Sequence, residues 1–137
     1  MPDTVAIAGG DLHFVARWER TLAPKSCAAL GAILPLEGNL LQARWSGESA
    51  WMPLGDLEVG VGEENATSDP VPGQILLYPK AVSETEILFP YGATVFASKF
   101  GKLAGNHCLT LIEGQTQLAE LGRRVVWLGA QPIRFSR

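Results

Sequence analysis

"GQILLYPKAVSETEILFPYG", residues 73–92, holds two short apolar runs on either side of a polar linker. Turn formers bound each run: Gly73 and Pro79 the first, Pro90 and Gly92 the end of the second. Apolar runs this short, punctuated by Gly and Pro, read as strands rather than helices. The first spans 73–79 and the second 84–90, and the linker "KAVS" makes a hairpin or a wider connection. In the second strand Ile87 and Phe89 face one way, while Glu84, Glu86 and Leu88 face the other. The two acids then share a face that is solvated or meets a partner subunit. Pro90 ends the ladder and Gly92 frees a turn. That leaves Tyr91 at the strand end, where a ring and a hydroxyl can both meet a ligand.

Outward from this pair the chain keeps its short-strand rhythm. Residues 91–106 read as irregular, with one short strand at 94–97. "NHCLTLIEG" (106–114) is a strand in which His107 shares a face with Leu109 and Leu111. Leu118, Leu121, Val125 and Leu128 then recur at helical spacing, with Thr116 as N-cap and Gly129 as the stop. Glu120 precedes Arg124 by one helical turn, a favourable surface pair. "QPIRF" (131–135) closes the chain as a strand. Upstream, residues 55–73 read as a long surface loop with a short extended piece at 57–61. "SAWMPL" (49–54) reads as an outer strand because Pro53 suits an edge. "NLLQARW" (39–45) alternates as a strand carrying Arg44. "APKSCAALGAILP" (23–35) reads as a helix with Pro24 in its first turn and Cys27, Leu30 and Leu34 on one side. "TVAIA" and "LHFVARWE" form a hairpin about "GGD". Many strands around an early and a late helix, without βαβ alternation, predict a mainly-β fold. A closed or nearly closed barrel plugged by two helices fits that order best.

Composition limits the function classes. A chain of 137 residues, 47% hydrophobic and 18% charged, suits one folded domain over the whole length, 1–137. Its formal net charge of −3 argues against nucleic acid as a partner. Arg123, Arg124, Arg134 and Arg137 are the nearest approach to a basic patch and read as ordinary surface. Eight acids and one lysine lie between Glu48 and Glu86. No apolar run is long enough to span a membrane, and no signal peptide is evident. Two cysteines, Cys27 and Cys108, sit among apolar residues and read as buried thiols of a cytoplasmic protein.

The motifs that would announce a reaction are missing: HExxH, CxxC, a phosphate loop, a dinucleotide fingerprint and GxSxG. "GVGEEN" (60–65) lacks the strand and helix that would aim its N–H groups at a phosphate. His13 and His107 carry no metal-ligand spacing, so neither a metal nor a cofactor is expected. Cys27, on the buried stripe of the first helix, reads as core rather than nucleophile. Arg44 offers a rigid donor fork for a carboxylate or amide oxygen, with Trp45 pointing the opposite way into core or subunit contact. Trp51 covers an edge. Glu63, Glu64 and Asn65 form a polar loop cluster, and Phe100 is a candidate pocket wall.

Five stretches carry a resemblance as an ordered pattern: "APKSCAALGAILPLEGNLLQARWSGE", "VPGQILLYP", "SETEILFPYG", "AGNHCLTLIEG" and "LAELGRRVVWLGAQPIRF". Together they resemble small bacterial and archaeal proteins with a cyclophilin-like fold, an uncharacterised group of about this length. The resemblance implies an eight-stranded type of barrel with helices closing its ends, "ILLYP" and "EILFPYG" as neighbouring strands, and a homo-oligomer. Set against the prolyl isomerases of this fold, Arg44 is the positional analogue of their barrel-strand arginine and Phe100 of a pocket wall. Their long signature stretch and aromatic-rich pocket are absent. Related folds also occur in systems that hydrolyse urea derivatives and cyclic amides.

The leading expectation is a protein that binds a small polar or anionic ligand at a barrel-end pocket lined by Arg44, Glu64, Tyr91, Phe100 and His107. Arg44 would hold an anionic or carbonyl group, Tyr91 and His107 would hydrogen-bond, and Phe100 would supply an apolar wall. One alternative is an amide hydrolase or isomerase with His107 or Glu64 as acid–base group and Arg44 opposite a developing oxyanion. Another is a structural or interaction subunit with apolar surface around Trp45, Trp51 or Trp127.

Overall fold

The computed structural model describes residues 3–137. The N-terminal hairpin pairs β1 (Thr4–Gly9) with β2 (Leu12–Trp18) about a two-residue turn. Gly10 takes φ +60° there, which glycine adopts without steric cost. As the alternation predicts, Leu12, Phe14, Ala16 and Trp18 are buried. Helix α1 (Pro24–Ala32) follows, with Pro24 in its first turn and Cys27 and Leu30 buried. Then come β3 (Leu36–Gln42), β4 (Gly47–Gly55), the two-residue β5 (Ala66–Thr67), β6 (Gln74–Tyr78) and β7 (Thr85–Thr94). A small ribbon pairs β8 (Ala97–Ser98) with β9 (Gly101–Lys102). The chain ends with β10 (Gly105–Glu113), helix α2 (Leu118–Trp127) and β11 (Gln131–Ser136).

Eight of these strands close a ring in the order β2-β1-β11-β3-β4-β7-β6-β10, and β10 returns to β2. Every pairing in the ring is antiparallel, so the fold is a mainly-β closed barrel with two helices. β6 and β7 are neighbours, with Leu77 opposite Ile87. Inside, Phe14, Phe89 and Phe135 meet edge-on across three strands, with centroids 5.7 and 6.5 Å apart. The buried faces of α1 (Cys27, Leu30) and α2 (Leu118, Leu121, Val125) join the same core. At roughly 25 cal/mol per Å² of apolar surface buried, this core is the main stabilising term.

Several local expectations change. β3 starts at Leu36 and stops at Gln42, so Arg44 lies in the following turn, where the Ser46 N–H bonds the Ala43 carbonyl at 2.8 Å. β4 is not an edge: it pairs with β3 on one side and β7 on the other. Pro53 is tolerated at its far end, where β7 is the ladder partner and the register shifts between Pro53 and Gly55. β7 does not end at Pro90. It continues to Thr94 because the register against β4 shifts between Gly47 and Ser49, and Glu48 Oε1 accepts the Ala93 N–H at 2.9 Å. Along β10 a bulge between His107 and Leu109 breaks the strict alternation. Cys108 and Leu109 both enter the core, while His107 stays partly exposed.

Candidate functional site

The outer wall of the barrel carries a second, smaller core. Leu88 of β7, Leu76 and Tyr78 of β6 and Ala43 point away from the interior and are buried by Phe96 and Leu103. Trp51 of β4 packs at its margin. Phe96 is fully buried and meets the Tyr78 ring edge-on at 5.7 Å. Ser46 ties this cover down twice: its hydroxyl donates to the Ala97 carbonyl at 3.1 Å and accepts the Ala97 N–H at 3.0 Å. The β8–β9 ribbon is thereby held over the wall as an annex outside the barrel.

A cavity of about 220 Å³ opens beside this cover. Trp45, Trp51 and Phe100 give it aromatic walls, Ser98 and Lys99 of the ribbon lie at one side, and Ser83, Glu84 and Glu86 at the other. Glu86 is 5% exposed. Among the described residues its carboxyl has no hydrogen-bond or ion-pair partner. Burial, reinforced by the nearby Glu84 charge, pushes its pKa up to about 8. At neutral pH Glu86 is therefore largely a neutral acid that can donate through its O–H and accept through its carbonyl. Trp45 is half exposed, with the Arg44 guanidinium 5.1 Å from its ring centroid. Phe100 is 64% exposed, and the Lys99 ammonium lies 5.2 Å from its ring.

The five residues singled out from sequence are distributed over several places. Phe100 lines this cavity, and Arg44 stacks on its Trp45 wall. Glu64 caps helix α1 from a distance: its carboxylate accepts the Lys25 and Ser26 N–H groups at 3.1 and 2.8 Å. Helix α1 has no side-chain cap of its own, so Glu64 satisfies donors that would otherwise be orphaned. Partial burial raises the Glu64 pKa, but these bonds outweigh it and leave the pKa lowered. The buried Asn106 locks the same loop, donating to Ser26 Oγ at 3.0 Å and the Gly62 carbonyl at 2.8 Å.

His107 heads a different chain of bonds. Thr110 Oγ1 donates to Glu19 Oε2 at 2.7 Å, so its oxygen receives the His107 Nε2 hydrogen, also at 2.7 Å. Arg17 donates to the same Glu19 oxygen at 3.0 Å. Burial is the main cause lowering the His107 pKa. Tyr91 donates to Gln42 Oε1 at 2.6 Å, and its ring lies against Gly122 of α2. A Cβ at Gly122 would fall 2.3 Å from that ring, so only glycine allows the approach. Burial raises the tyrosine pKa.

Sequence reading missed Glu86, Trp45 and Trp51 as neighbours in one cavity. The available signal was the position of Glu86 in phase with Leu88 inside an otherwise apolar strand. Among the described residues, no group of three His, Cys, Asp or Glu side chains is placed to hold a metal ion. No helix among them is long and apolar enough to cross a membrane. Arg123 and Arg124 pair with Glu120 and Arg134 with Glu37, which accounts for most of the C-terminal arginines.

Comparison with solved structures supports the barrel. The chain is similar to McbB, solved in complex with tryptophan, at 17% identity and a TM-score of 0.76. That likeness covers 97% of this chain but 44% of the other, so the chain spans less than half of McbB's length. It is also similar to the hypothetical protein AF2241 from Archaeoglobus fulgidus, at 13% identity and a TM-score of 0.60, covering 98% of this chain and 93% of that one. No curated protein matches the sequence. A family profile described as protein of unknown function (DUF3830) matches residues 5–137. With nearly the whole chain matched, the protein belongs to the DUF3830 family of unknown function.

Proposed function

We propose that the chain binds a compact, largely apolar or aromatic small molecule in the outer-wall cavity, with Glu86 as its polar anchor. The observation that carries this reading is the unpartnered Glu86 carboxyl, 5% exposed, lining an aromatic-walled cavity. Burying a carboxyl without a partner costs stability, and nothing in the packing of the barrel requires an acid there. A ligand group that hydrogen-bonds to it offsets that cost. The volume, about 220 Å³, lies below the ~300–1,000 Å³ usual for drug-sized ligands, which favours a small one. McbB, which shares this fold over 44% of its length, was itself solved in complex with tryptophan.

This reading moves the ligand from the barrel end to the wall beside β4 and β7, and it replaces a polar or anionic molecule by a largely apolar one that tolerates two acids. Neither Glu64 nor His107 lines this cavity. The test is ligand-observed NMR with a library of compact aromatic amines, alcohols, amides and acids, followed by titration of any binder. Trp45→Ala and Phe100→Ala are expected to weaken binding at least tenfold, and Tyr91→Phe to leave it unchanged. Binding that follows Tyr91 and ignores Trp45 would sink the proposal.

A further inference from the structure

Two acids and three aromatic rings around one small cavity narrow the ligand further, given that the pocket reading above holds. Glu86 lies in the buried part of the cavity lining, and Glu84 is the charge that acts on it. Each strand flanking β7 presents one residue opposite Glu86: Pro53 on β4, which brings no charge, and Tyr78 on β6. Lys99 belongs to the exposed ribbon, with its ammonium over the Phe100 ring. Lys80 is paired with Asp56 at 3.2 Å in the adjoining groove. Among the described residues no cation pairs with the buried acid: Lys99 lines the cavity but lies over Phe100, and Arg44 lies over Trp45, while Trp51 adds a third ring to the same lining. Aromatic faces attract cations, and desolvation strengthens that attraction.

We propose that the ligand is an organic monocation, an amine on a compact aromatic or aliphatic body, whose nitrogen sits beside Glu86 and Glu84 among the rings of Trp45, Trp51 and Phe100. An anion entering the same space would meet Glu84 and would have to keep Glu86 neutral. A cation does the reverse. Its arrival favours the ionised form of Glu86, so the carboxyl proton leaves to solvent and an ammonium–carboxylate pair remains. Below the pKa near 8, cation affinity then rises with pH, while a neutral ligand's affinity does not.

Three probes of similar size separate the cases: benzylamine, benzyl alcohol and benzoate, titrated into the full chain between pH 6 and 8. Benzylamine is expected to bind at least tenfold more tightly than the other two at pH 8. Its affinity should gain about tenfold per pH unit up to pH ~8. Calorimetry at pH 7 in two buffers of different ionisation enthalpy should show close to one proton released per benzylamine, a measurement that needs no variant. Glu86→Gln should erase both the proton release and the preference for benzylamine. If benzyl alcohol or benzoate binds as tightly as benzylamine, without proton release but still perturbing Trp45 and Trp51, the cation assignment is wrong and the pocket reading stands. Retention of the amine preference in Glu86→Gln also overturns the assignment. If none of the three perturbs those tryptophans, the pocket reading falls and the cation falls with it.

Discussion

Burying Glu86 on β7 without a cation beside it ties the stability of the fold to pH through one group. The folded pKa, about 8, lies above the ordinary 4.5, so the native state holds the proton more tightly than the unfolded chain. That contribution is complete below about pH 4.5 and is lost as the pH rises to about 8, at about 1.4 kcal/mol per pH unit between them. Glu86→Gln removes the loss. Thermal melting from pH 5 to pH 9 should show the variant gaining on the parent as pH rises, on the order of several degrees by pH 9. A difference that stays constant across that range would contradict the assignment. Gly122 gives a second residue-level expectation. A methyl group there meets the Tyr91 ring, so Gly122→Ala should cost about 1–3 kcal/mol through overpacking, read by denaturant unfolding. An unchanged midpoint would mean that α2 shifts on the wall freely.

At the scale of elements, the β8–β9 ribbon depends on one hydroxyl. Ser46 is 4% exposed and exchanges two hydrogen bonds with Ala97. Ser46→Ala leaves the Ala97 N–H without this acceptor and should cost about 1–3 kcal/mol of local stability. Amide exchange should accelerate at Ala97 and along the ribbon while the β2 and β10 amides keep their protection. Uniform acceleration would show that ribbon and barrel open together. The ring strands and both helices were legible in the sequence because apolar residues recur with periods near two and near four; the two-residue β5 and β9 were not, and the extended piece expected at 57–61 forms no strand. Leu118, Leu121 and Val125 follow that rule, whereas Leu128, read as part of the same stripe, is 62% exposed beyond the last helical turn. β7 beyond Pro90 was not legible, because proline and glycine stop an ordinary ladder and only the register shift against β4 accommodates them. The orientation of His107 depended on a bulge that no local pattern encodes. The cavity was hidden for a longer-range reason: Glu86 becomes buried only when residues 96–103 fold back over a face that alternation alone assigns to solvent or to a partner subunit.

For the whole molecule, the closed ring and the two thiols give an independent measure of cooperativity. Cys27 lies on α1 and Cys108 on β10, and Cys27 Sγ reaches the Cys108 carbonyl at 3.5 Å. Burial pushes the Cys27 thiol up to about 11 and the Cys108 thiol higher still. A thiol reagent at pH 8 should therefore label both slowly and at one common rate, set by opening of the main core. Rapid labelling of Cys27 alone would show α1 detaching while the barrel stays closed. The ring leaves no free edge among its eight strands, so opening it requires the loss of two ladders rather than fraying at one side.

The division between the main core and the outer-wall cluster has a consequence for how such a protein can change. A ligand lodged inside a filled barrel would compete with Phe14, Phe89 and Phe135 for the same space, so each change in specificity would disturb folding. Here the cavity lies on the outer wall: Trp51 of β4 and Glu86 of β7 form its floor, and the ribbon, the 44–46 turn and the end of the 80–84 connection, all outside the ring, bound the rest. Substitutions in these segments can reshape what is bound while the ring of strands stays as it is. Selection can thus act on recognition and on foldability through nearly separate sets of residues.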